Sequence, residues 1–113
     1  MIHPCPSWYQ DAKFGLFFHW GPYCVPAYLN EWYSRNMYAT HTEQSRYHAA
    51  HYGPLSRFGY KDFIPLFTGE AFDPDAWADL AILSGARYAG PVSEHADNYS
   101  LWDSLVNPVN SVR

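Results

Sequence analysis

Residues 14 to 18, Phe-Gly-Leu-Phe-Phe, form an unbroken apolar run, without the alternation of a half-solvated strand. Such a run suits a strand covered on both faces, as in a parallel sheet flanked by helices. The predicted strand spans Phe14 to His19, with Gly15 and Phe17 on one side and Phe14, Leu16 and Phe18 on the other. It stops at His19-Trp20-Gly21-Pro22, an imidazole and an indole side by side. A strand with a purely structural role more often stops at small turn residues. The ending therefore marks His19 and Trp20 as candidates for a binding site.

The next strong pattern is Asp73-Pro74-Asp75-Ala76-Trp77, which opens a helix over residues 73–85. Asp73 is the N-cap, Pro74 the first helical residue and Gly85 the stop, while Trp77, Leu80 and Ala81 form the apolar face. Arg87 to Ser93 follows as a second predicted strand, weakened by Gly90-Pro91, because a proline removes one ladder hydrogen bond. Strand, helix and strand in that order predict an α/β fold with a parallel sheet. Residues 34–68 carry scattered His, Tyr and Arg with Gly53-Pro54 and Gly59 as breakers, and predict a long loop with one or two short helices. Within it, His41, His48 and His51 read as solvated.

A chain of 113 residues is about one small domain. Aromatic residues make up 19% of it, the composition of a packed core or of a concave site for flat or sugar-like ligands. A net charge of −4 without a basic cluster argues against nucleic acid and against an anionic membrane surface as partners. No apolar run approaches the roughly 20 residues of a membrane span. The opening residues MIHPCPSWYQ lack the charged and apolar regions of a secretory signal, so a cytoplasmic location is expected and Asn98-Tyr99-Ser100 reads as an accidental sequon. Cys5 and Cys24 read as thiols in a reducing compartment, since two cysteines specify neither a disulfide framework nor a zinc site.

The two predicted strands lead into His19-Trp20 and Glu94-His95. In barrels of parallel strands, functional side chains gather at that edge. Glu31-Trp32-Tyr33 repeats the pairing of a hydrogen-bonding group with a flat ring. Carboxylate and imidazole suit sugar hydroxyls, and indole suits the apolar face of a pyranose. His19, Glu31 and His95 also form a two-histidine, one-carboxylate set of the kind that binds zinc, but no His-x3-His pair supports a metal. Neither metal nor cofactor is expected.

The stretch WYQDAKFGLFFHWGPYCVPAYLNEWY, residues 8–33, resembles the N-terminal signature of the α-L-fucosidases of glycoside hydrolase family 29. YKDFIPLFTGEAFDPDAWADLAILSGARYA, residues 60–89, and HADNYSLWDS, from His95, are similar to the segments that follow it there. The resemblance implies that residues 1–113 are the truncated N-terminal part of a catalytic (β/α)8 TIM-type barrel domain. It implies an exo-acting enzyme that hydrolyses terminal α-L-fucose with retention of configuration, with a fucosylated carbohydrate as substrate. His19, Trp20, Glu31, Trp32 and His95 are then expected to bind the sugar. Retaining hydrolysis takes two carboxylates roughly 5 Å apart, and the resemblance places both beyond residue 113. In the motif His-His-Asp-Gly-Phe this chain reads His95-Ala96-Asp97-Asn98-Tyr99, so one hydroxyl contact is lost and asparagine takes the glycine's turn position. A binding fragment without catalysis is the alternative; it uses the same aromatic and polar surface.

Overall fold

The structure is a computed structural model that describes residues 3–112. The chain divides into two compact units, one of residues up to Phe18 with Gly69–Pro91, the other of His19–Thr68 with the residues from Val92 onward.

The first unit holds α1 (Ser7–Ala12), β1 (Gly15–Phe18), α4 (Pro74–Leu83) and β2 (Tyr88–Pro91). The strands pair in parallel, from Gly15 opposite Tyr88 to Phe18 opposite Pro91. They are shorter than the expected spans because pairing stops at Pro91, which has no N–H to extend the ladder. Gly15 is required by close approach, since a Cβ there would collide with the ring of Tyr88. Between the strands lies α4, whose ends are as read. The Asp73 side chain accepts from the N–H groups of Asp75 and Ala76, both at 3.0 Å. At the other end Gly85 takes a φ of +86°, and the N–H groups of Gly85 and Ala86 donate to the Ile82 and Ala81 carbonyls, a Schellman closure.

Among the described residues, β1 is not covered on both faces. Phe17 remains 73% exposed, because the sheet has two strands and α4 packs on one side only, through Trp77 on Phe18 at 4.9 Å between ring centres. Trp77 and Leu80 line an apolar groove with Leu16 and Phe18 but stay exposed themselves. The described sheet is thus a small parallel α/β pair.

The second unit contains the core. It is built from α2 (Tyr33–Asn36), α3 (Glu43–His51) and the 3-10 helices Pro22–Cys24 and Tyr60–Leu66. Residues 34–68 thus carry the short helices expected there, with the 3-10 helix Tyr60–Leu66 in addition. Tyr33, Met37 and Phe63 are fully buried, with Tyr23 and Tyr60 beside them. Thr42 caps α3 by accepting from the Ser45 N–H at 3.0 Å. His48, read as solvated, is buried instead: Tyr33 Oη lies 3.1 Å from its Nδ1 and the Phe58 carbonyl 2.9 Å from its Nε2. Both ring nitrogens have partners, which removes the cost of burying them. His41 and His51 are exposed as expected. Cys5 and Cys24 are free, exposed thiols. Among the described residues no helix is long and apolar enough to cross a membrane.

Candidate functional site

The site lies within the second unit. His19 is the residue after β1 in the chain and the first of this unit. Tyr23, four residues on, is buried in the core, so the 3-10 turn Pro22–Cys24 ties the His19 segment to that core.

Glu31 is placed by the loop before α2. Ala27 and Leu29 take φ values of 45° and 63°, left-handed conformations that cost side-chain-bearing residues and cluster at functional sites. Asn30 then closes a turn, its side-chain oxygen accepting from the Trp32 N–H at 3.1 Å and its carbonyl from the Tyr33 N–H at 3.1 Å. Glu31 sits between these bonds. Two residues on, Tyr33 is fully buried and holds the segment to the core. Trp32 is 41% exposed.

His95 comes from a turn in which the Asn98 N–H donates to the His95 carbonyl at 3.1 Å. Asn98 has a φ of 58°, so asparagine supplies the left-handed turn that glycine would otherwise make. Asp97 holds the turn from both ends, accepting from the Tyr99 N–H at 3.2 Å and from Tyr60 Oη at 2.6 Å. Burial and the bond to Asp97 push the Tyr60 phenol well above its ordinary pKa, which keeps it a donor. Burial, with the Asp97 charge next, pushes Tyr23 up to about 12. Ala96 is exposed.

These segments bring His19, Glu31 and His95 together, with one potential ligand atom from each all within 4.8 Å of one another. The His95 ring stands edge-on to His19 at 5.2 Å, to Trp32 at 4.9 Å and to Tyr23 at 5.9 Å between centres. A cavity of about 340 Å³ opens beside them, lined by His19, Tyr23, Tyr28, Leu29 and Glu31 among others. Trp20 packs on Phe67 at 4.9 Å, and Trp20, Trp32 and His95 are not among the residues that line the cavity. The sequence reading did not pick out Tyr23, Tyr60 and Asp97. Asp97 stands two residues from His95, but Tyr60 is distant in the chain, and only folding joins them.

A carboxylate, two imidazoles and an indole converging beside an open cavity can hold vicinal hydroxyls while covering an apolar ring face. The chain matches the family model described as Alpha-L-fucosidase over residues 2–113. It is 41% identical to the tissue alpha-L-fucosidase of Rattus norvegicus over 108 residues, covering 92% of this chain and 22% of that protein. To the alpha-L-fucosidase of Dictyostelium discoideum it is 40% identical over 108 residues, 89% of this chain and 23% of the relative. The chain thus spans less than a quarter of the length of these curated relatives. The crystal structure of the Thermotoga maritima alpha-fucosidase in complex with fucose superposes with a TM-score of 0.90 at 37% identity, over 97% of this chain and 28% of that one.

Proposed function

The chain belongs to the alpha-L-fucosidase family, and from that premise we propose that it supplies part of the fucose subsite of a retaining, exo-acting α-L-fucosidase. In this reading residues 1–113 are the opening segment of a (β/α)8 barrel, and β1 and β2 are two of its parallel strands. His19, Glu31 and His95 hydrogen-bond the hydroxyls of a terminal α-L-fucose, and Trp32 covers the apolar side of the ring. Trp20 acts from its seat on Phe67 as support. The substrate is a fucosylated carbohydrate, and neither catalytic carboxylate is assigned to residues 1–113.

The observation that carries the reading is the convergence of the three hydrogen-bonding groups within 4.8 Å, from three separate loop segments of the chain. A carboxylate accepts from two neighbouring hydroxyls, and an imidazole either donates or accepts. Bonds of this kind to a charged group contribute about 1.5 to 3 kcal/mol each.

The test is kinetic. Residues 1–113 alone are expected to be inactive; in a full-length enzyme that contains them, His19→Ala and Glu31→Ala are expected to lower kcat/KM for 4-nitrophenyl α-L-fucoside by roughly ten- to a hundredfold, with the melting temperature nearly unchanged. Proton NMR of the first-formed fucose should show the α anomer. Melting that falls by many degrees with unchanged activity per folded molecule would make both residues structural, and first-formed β-fucose would refute retention.

A further inference from the structure

His95 Nδ1 is buried and has no hydrogen-bond partner. An orphaned buried nitrogen is uncommon, because it forfeits a bond that water or protein normally supplies. The ring that carries it belongs to the cluster in which His19, Glu31 and His95 each offer one ligand atom within 4.8 Å of the others. Two imidazoles and one carboxylate are a donor set for a borderline divalent transition metal, as in catalytic zinc sites with an open fourth position. A tetrahedral ion at ~2.1 Å sets its ligand atoms ~3.4 Å apart, so the cluster must tighten by up to about 1.4 Å to close on a metal. That movement is available to it. His19 is exposed and Glu31 half-buried, and among the described residues neither side chain has a hydrogen bond to break.

We propose that His19, Glu31 and His95 form a binding site for a borderline divalent metal, with Zn(II) the best fit, and that metal and sugar exclude one another there. The exclusion rests on the fucose-subsite reading above; the metal site itself does not. The ion acts as an inhibitor: it takes up the same lone pairs that the hydroxyls of the sugar require. Glu31 and the two imidazoles fill three positions and solvent fills the fourth. A harder ion such as Mg(II) lacks the preference for imidazole and is not held.

Titration of the metal-free protein with zinc chloride, followed by calorimetry, tests this, and cobalt chloride gives a visible spectrum that reports the coordination. One Zn(II) per chain is expected, with a tetrahedral-type cobalt spectrum and no response to magnesium chloride. His19→Ala and Glu31→Gln should each weaken zinc by at least about tenfold, by comparison with the losses caused even by outer-shell changes. L-Fucose should displace the metal, and in a full-length enzyme that contains residues 1–113 zinc should raise KM for the nitrophenyl fucoside without changing kcat. Fucose binding without zinc binding would overturn the metal site and leave the sugar reading intact. Zinc binding unaffected by both substitutions would place the metal elsewhere and overturn the site as well. Zinc held by these residues while fucose binds independently would uphold the metal site and refute both the exclusion and the shared sugar subsite.

Discussion

Tyr60 Oη reaches Asp97 at 2.6 Å, and through that bond the core holds the turn that carries His95. Tyr60 is buried against Phe63 and receives no freedom from solvent. Its own N–H donates to Tyr38 Oη at 2.8 Å, so its backbone is fixed too. Tyr60→Phe keeps the ring and removes only the hydroxyl, leaving Asp97 one donor short. In a full-length enzyme that contains this segment, on the proposed fucosidase reading, we expect KM for the fucoside to rise about three- to tenfold with kcat within about twofold, the pattern of lost uniform binding. Steady-state kinetics check this; equal falls in kcat and kcat/KM would mean that the bond acts in the transition state. None of this was legible in the sequence, because Tyr60 is one of ten tyrosines and its partner lies far along the chain. His48 shows the same limit. Its polarity predicted solvent, and its burial depends on Tyr33 and Phe58, which no local pattern connects to it. His19, Glu31 and His95 were legible because each stands in a short motif of recognisable composition.

At the scale of elements, α4 was legible because its signals are local. Asp73, Pro74 and Gly85 act within one turn of the helix ends, and the structure uses all three. Asp73→Ala should destabilise α4 by about 1 kcal/mol, with Asp73→Asn nearly neutral since its side-chain oxygen can still accept. Chemical denaturation monitored by helix circular dichroism measures both, and equal losses in the two variants would show that the Asp73 charge matters more than its cap. β1 was legible in position and parallel pairing, but not in coverage. An apolar run states that a strand can be buried on both faces; it does not supply the elements that bury it. Phe17 accordingly stands open, and the groove beside Trp77 is lined by side chains that remain largely exposed.

Across the molecule, burial is uneven. Among the described residues the buried hydrophobic ones, Tyr23, Tyr33, Met37, Tyr60, Phe63 and Tyr99, belong to the second unit, while the first exposes Phe17, Leu80, Ile82 and Leu83. The second unit thus carries its own reason to fold, and the first depends on pairing β1 with β2. Those strands face each other across roughly 70 residues of chain, and closing such a loop costs about 4 kcal/mol of entropy before any contact offsets it. Tyr33 and His48, by contrast, meet across a short span within the core. Strand pairing should therefore be late in folding, so Leu16→Ala should speed unfolding and leave the folding rate almost unchanged. Stopped-flow measurements decide this, and folding slowed in proportion to the lost stability would place the pair in the nucleus. During synthesis the order has a duration: at about 5 to 20 residues per second, β1 leaves the ribosome roughly 4 to 14 seconds before β2 exists. For those seconds the chain's unbroken apolar strand has no strand to pair with, and its protection falls to whatever else in the cell binds extended apolar chain.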